Sequence, residues 1–183
     1  MSETTKSTLT PVAQKFILHW GEMGTRWGIN RTVAQVHALL FLLPKPVPAD
    51  EIASTLAVAR SNVSTSLREL QGWGIVRAVH ILGDRRDHFE SIKDVWEIFR
   101  IVSEERKRRE IDPTLQAIRE CVAELKAHPE GDAYARERLE SMLEFLTAMT
   151  GLFEEVLRMP AGALKSVVKL RGKVVTLLGK KAG

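Results

Sequence analysis

A chain of 183 residues, 44% hydrophobic and 27% charged, has the makeup of a folded globular protein and can bury a real core without metal or disulfide staples. The formal net charge of +4 is a mild basic bias that suits a polyanionic partner. The single cysteine excludes an intrachain disulfide framework. No run forms a signal peptide or approaches the roughly eighteen continuous apolar residues of a membrane span, so a cytoplasmic protein without membrane contact is expected.

Residues 1–10 are polar and aperiodic and read as a mobile tail. From Pro11 a helical period appears, with Phe16, Trp20, Met23 and Trp27 on one buried face, and Gly28 ends the helix. A second helix opens after Asn30, its cap, and places Val33, Val36, Leu40 and Leu43 on one stripe before "PKPVP" stops it. Pro48 fits the first turn of a third helix, which begins with Asp50 and Glu51 and buries Ile52, Ala53 and Leu56. After the turn "AVAR" a fourth helix buries Val63, Leu67 and Leu70 and stops at Gly72. Its other face carries Ser61, Asn62, Ser64, Thr65 and Arg68, and so close a helix pair reads as a helix-turn-helix.

Ile75 to Ile92 is rich in β-branched residues around "GDRRD" and reads as a hairpin wing, with Arg85 and Arg86 at its tip and His80 and His88 facing one another as a surface pair. The remainder is helical. Val95, Phe99 and Val102 mark one helix, with Trp96 beside them. "ERKRRE" reads as a solvated face paired at i,i+4, joining Glu104 to Arg108, Glu105 to Arg109 and Arg106 to Glu110. Asp112 caps and Pro113 begins a further helix with Leu115, Ile118, Val122 and Leu125 inward and Cys121 as a partly buried thiol. After Asp132 a long helix carries Leu139, Met142, Leu146, Met149, Phe153 and Val156 at three-four spacing, a seam that calls for a partner helix and makes these the expected dimerisation residues. A basic amphipathic helix with Leu164, Val168, Val174, Val175 and Leu178 closes the chain and is expected to pack its apolar stripe on the dimer core.

The expected fold is therefore mainly α: a winged helix-turn-helix DNA-binding domain over residues 11–92, followed by a helical dimerisation region over residues 93–183. Asn, Ser, Thr and Arg are the side chains that hydrogen-bond base edges and phosphates in a major groove, and they are mediocre or costly choices for a face that only needs solubility. This makes Arg60, Ser61, Asn62, Ser64, Thr65 and Arg68 the candidate groove contacts and Arg85 and Arg86 the candidate wing contacts. Trp20, Trp27 and Trp96 are candidate effector contacts, since indole faces attract cations, although the first two share the core stripe of Phe16 and Met23. With no Gly-rich phosphate loop and no paired Cys or His spacing, neither an enzyme, a metal site nor a cofactor is expected.

The segment "ADEIASTLAVARSNVSTSLRELQGWGIV", continued by "ILGDRRDHFESIKDVWEIFRIVSEERKRREIDP", resembles the MarR-type winged helix-turn-helix regulators, and more narrowly their GbsR-like branch, some members of which respond to choline or glycine betaine. The resemblance runs from about Pro11 to Leu157. It implies a homodimeric transcription regulator, usually a repressor, that binds palindromic double-stranded DNA and is modulated by a small-molecule effector. Ala59 stands where such motifs often carry a Ser cap, which leaves the start of the recognition helix open between Arg60 and Ser61. The competing reading is a protein that uses the winged fold to dock another protein and binds no DNA.

Overall fold

The structure, a computed structural model, describes residues 9–128, 132–160, 162, 163 and 166. The expected tail up to residue 8 and the basic C-terminal helix carrying Leu164, Val168, Val174, Val175 and Leu178 lie outside the described residues. The chain divides into two compact units, one ending at Ile101 and the other beginning at Val102.

In the first unit, helix α1 (Pro11–Arg26) starts with proline in its first turn, and the Thr10 hydroxyl accepts from the Ala13 N–H at 3.2 Å. The expected aromatic stripe is not its packed face. Ile17, Gly21 and Gly24 are buried, whereas Phe16, Trp20 and Met23 are half-buried and Trp27 is exposed. The reason is close approach: a Cβ on Gly24 would lie 2.5 Å from the Ala34 Cβ, and one on Gly21 would lie 2.6 Å from the Gln35 Cγ. Bulky rings cannot enter such a contact and are left on its flank.

Helix α2 (Arg31–Leu42) is capped by Asn30, whose Oδ1 accepts from the Thr32 N–H at 2.8 Å. It is the central element, buried at every residue from Val33 to Leu40, because α1 and the helices and sheet that follow pack around it. Leu43, expected in the buried stripe, is its half-buried C-cap. The Lys93 ammonium closes this end by donating to the carbonyls of Leu40, Phe41 and Leu43 at 2.6, 3.0 and 2.8 Å, which are among the acceptors a helix leaves open at its C-terminus.

Pro48 is not in a first helical turn. It belongs to a short strand β1 (Val47–Pro48) and is the N-cap of α3 (Ala49–Leu56). Ala57, at φ 53, turns the chain into α4 (Arg60–Trp73), which begins at Arg60 with Ala59 as N-cap. Helix α4 ends at Gly74, at φ 81, rather than at Gly72, because the left-handed C-cap is what glycine supplies cheaply. Strands β2 (Val76–Ile81) and β3 (Asp84–Ser91) form the hairpin, and β1 adds to β3, giving an antiparallel sheet in the order β1-β3-β2. Val36, Leu39, Leu40, Ile52, Val63, Leu67, Leu70 and Ile75 make the core. The architecture is the expected winged helix.

Helix α5 (Val95–Arg106) contains the division between the units. In the second unit it continues through a π turn (Lys107–Ile111) into α6 (Asp112–Ala127) with no break at Asp112. Pro113 has no N–H for the carbonyl four residues back, and the wider turn just before it takes up that mismatch. Asp112 is thus helical rather than a cap. Within "ERKRRE" Arg108 pairs with Glu105 at i,i+3, 2.6 Å apart, while Lys107 pairs with Asp112 and Glu154 at 2.7 and 3.0 Å. Cys121 is exposed, since it falls beside Val122 on the outer side of α6.

Helix α7 (Ala133–Arg158) is capped by the Asp132 carboxylate, which accepts from the Ala135 N–H at 2.9 Å, and packs on α6. The expected seam spreads over two adjoining faces. Leu139, Leu146 and Val156 are half-buried, whereas Met142, Met149 and Phe153 are exposed and join Phe145 and Leu152 in an open apolar stripe.

Candidate nucleic-acid interface

Helix α4 presents its polar face because its opposite side is fixed. Val63, Ser66, Leu67 and Leu70 are buried, which turns Ser61, Asn62, Thr65 and Arg68 to solvent. Ser64 is half-buried and donates to the Arg60 carbonyl at 3.1 Å. The Arg60 guanidinium donates to the Ser64 hydroxyl and reaches back to the Asp50 carboxylate at 2.6 Å, tying the start of α4 to the start of α3. Arg68 donates to the Thr65 hydroxyl at 3.3 Å. Ala59 offers no side-chain acceptor, so the positive end of α4 stays open to an anion.

The wing differs from its expected form. Its tip is Leu82-Gly83, with Leu82 fully exposed and Gly83 at φ 89, and both arginines lie in β3. Val79 pairs with His88 and Ile81 with Asp84, so Arg85, Arg86 and Asp87 together oppose His80 in a bulge. A bulge redirects side chains. The Arg86 guanidinium donates to both oxygens of Asp84, at 3.1 and 3.2 Å from Nε and 2.6 Å from Nη2. These bonds, with the Arg86 N–H, hold the Asp84 carboxyl below the usual carboxylate range. Asp84 in turn raises the Arg86 pKa, and Asp50 and Glu51 act in the same direction from α3. Arg85 is exposed and has no hydrogen-bond or ion-pair partner among the described residues.

The two histidines are not opposite one another. His88 is buried, with Nδ1 3.0 Å from the Arg86 carbonyl oxygen and Nε2 3.5 Å from Asp84, while His80 is exposed, 3.6 Å from Asp87. Among the described residues no group of three His, Cys, Asp or Glu side chains could hold a metal ion. Trp20 stacks on Phe16 with ring centroids 5.5 Å apart and meets Trp27 edge-on at 5.9 Å, and Trp96 is half-buried in the first turn of α5. Asp84 and Arg86 stand at i,i+2 on one strand, a juxtaposition of opposite charges visible in the sequence.

Residues 27–87, from the end of α1 to the bulged strand of the wing, match the sequence model of the MarR family. The winged helix is thus similar to that of the MarR family. A curated relative, the HTH-type transcriptional repressor GbsR of Bacillus subtilis (strain 168), is 25% identical over 100 residues, which make up 55% of each chain. The present chain thus matches about half of that repressor's length. Among solved structures, one described as the crystal structure of a transcriptional regulator has a TM-score of 0.62 at 22% identity, covering 80% of this chain and 96% of that one. The transcriptional regulator Tm0710 from Thermotoga maritima aligns at a TM-score of 0.37 and 18% identity over 80% of this chain and 92% of its own. The matched residues include the α3–α4 corner and much of its wing. Among the described residues no helix is long and apolar enough to cross a membrane.

Proposed function

We propose that the protein is a sequence-specific, DNA-binding transcription regulator, a repressor, that acts in the cytoplasm as a homodimer on a pseudo-palindromic operator. The observation that carries this reading is the exposed row Ser61, Asn62, Thr65 and Arg68 on a helix whose other side is locked into the core. Asn and Arg in that row read base edges, Ser and Thr adjust to either base or phosphate, and Arg60 and Ser64 lie beside the open helix end where a phosphate would sit. Arg85, without a partner among the described residues, is a wing cation for a phosphate or the minor groove, and Arg86, engaged by Asp84, sets the shape of the bulge that presents it.

The dimer is formed through the open stripe of Met142, Phe145, Met149 and Leu152 on α7, an apolar surface left exposed among the described residues. Two copies then offer two α4 helices to successive major grooves, about 34 Å apart. A small-molecule effector regulates the protein if it favours one spacing of these helices over another.

The test is a salt-dependent titration of the purified protein with duplex DNA from its own upstream region and with a scrambled duplex. Tighter binding to the first, with log K falling by about 0.9 per phosphate neutralised for both, supports the reading. Absence of binding to either duplex at low salt would overturn it in favour of a winged module that docks another protein.

A further inference from the structure

The second unit contains a cavity of about 740 Å³ between the π turn, α6 and α7, a volume in the range of small-molecule sites. Three features meet there. The first is the π turn itself, whose Lys107 and Arg108 line the cavity. The second is Gly151, in the interior of a 26-residue helix, where glycine is disfavoured by about 1 kcal/mol relative to alanine. Close packing does not require it, since a Cβ built on Gly151 meets nothing within 4 Å. That Cβ would only narrow the cavity.

The third feature is the distribution of polar groups. Lys107 is satisfied between Asp112 and Glu154, at 2.7 and 3.0 Å, and Arg108 is held by Glu105 at 2.6 Å. Arg119, Thr147 and Thr150 also line the cavity, yet none of their side chains has a hydrogen-bond or ion-pair partner among the described residues. All three carry donors, and Arg119 adds a positive charge that no partner offsets among the described residues. Leu115, 4% exposed, and the exposed Pro113 are the apolar side chains of the lining.

From this arrangement we infer that the cavity binds a small organic oxyanion, a carboxylate or phosphate monoester with a short apolar body. The oxyanion accepts from the Arg119 guanidinium and the Thr147 and Thr150 hydroxyls, and its body passes over Gly151 onto Leu115. On α7, at 100° per residue, Thr147, Thr150 and Gly151 lie roughly opposite the open stripe of Phe145, Met149 and Leu152, so occupancy and chain pairing do not compete for one face. As a ligand site this stands on the second unit alone. Its use as an effector site rests on the DNA-binding reading, so the deciding assay contains no DNA.

The experiment is calorimetric titration of the full chain with butyrate, n-butyl phosphate and, as the opposite charge, n-butylammonium. One or both anions should bind once per chain, and n-butylammonium should not bind. Butyrate binding alone assigns a carboxylate, and butyl phosphate binding alone assigns a phosphate ester. Arg119→Gln should weaken the bound anion by about tenfold or more through loss of a charge-assisted hydrogen bond. Gly151→Leu should abolish binding while keeping the helical circular dichroism and thermal midpoint, since leucine is the better helix former. Should Arg119→Gln fail to fold, Thr150→Val and Gly151→Leu decide the matter. No binding by either anion, binding of the ammonium probe instead, or affinity indifferent to these substitutions would overturn the inference.

Discussion

Acidification from pH 7 to pH 4 should weaken the fold through one residue, His37. It lies on α2 at 8% exposure, its Nε2 is buried without a hydrogen-bond partner, and the Lys93 cation acts on it from the end of the same helix. Burial first, and Lys93 second, lower its pKa from 6.5 to about 4. The unfolded chain therefore takes up this proton near pH 6.5, while the folded chain resists it until about pH 4. Between those values the unfolded state binds more protons, so stability falls as the pH falls, and the loss is complete below about pH 4. At about 1.4 kcal/mol per pH unit, that interval amounts to roughly 3 kcal/mol, a large share of an ordinary domain's stability. The lowered carboxyls of Asp84 and Glu97 contribute only as the pH drops through the ordinary carboxylate range and below, which leaves the upper window to His37. Urea denaturation at a fixed protein concentration, repeated from pH 7 to pH 4.5, measures the effect in the native sequence and in His37→Met. The native chain should lose about 2 to 3 kcal/mol more than the variant over that range. Equal losses in the two proteins would refute the assignment.

Other expectations follow from single contacts. Lys93→Met removes the donor from three α2 carbonyls and should cost about 1 to 3 kcal/mol of stability, read as a lower urea midpoint with unchanged slope. Gly24→Val places a side chain where a Cβ alone would already meet Ala34 at 2.5 Å, and should destabilise the first unit by about 1 to 3 kcal/mol or more, seen as a fall in thermal midpoint. The pair Phe145→Glu and Met149→Glu should convert the proposed dimer to monomer in sedimentation velocity with helicity retained, and a persistent dimer would place the interface elsewhere. Arg85→Ala should weaken DNA binding and reduce the salt slope by about 0.9, whereas Arg86→Ala, which breaks the Asp84 contact, should disturb the wing and show in the hairpin's amide exchange rates.

The elements and their order were legible because caps and apolar periods are local signals. Asn30, Pro11 and Asp132 each mark a helix start by their own chemistry, and Val63, Leu67 and Leu70 announce a buried face by spacing alone. What escaped depends on neighbours distant in sequence. Gly21 and Gly24 look like helix weaknesses until α2 lies against them, and a tryptophan period resembles a core stripe until the glycines displace it. Lys93 is an ordinary surface lysine in the sequence, while its role is to close a helix fifty residues earlier. At the interface, the polar face of α4 was readable because burial of its opposite side is periodic. The different fates of Arg85 and Arg86 were not, because the bulge that separates them is set by strand pairing rather than by composition.

The glycine contact between α1 and α2 has a mechanical consequence. Helices held apart by long side chains can slide a little, because rotamers change to absorb the motion. Where Gly24 meets Ala34 and Gly21 meets Gln35 there is little side-chain length to give, so the two helices shift together. Helix α2 also packs on α4. A push or twist applied to α1 is therefore transmitted through a stiff joint to the helix that carries Asn62 and Arg68, with almost no slack along the way.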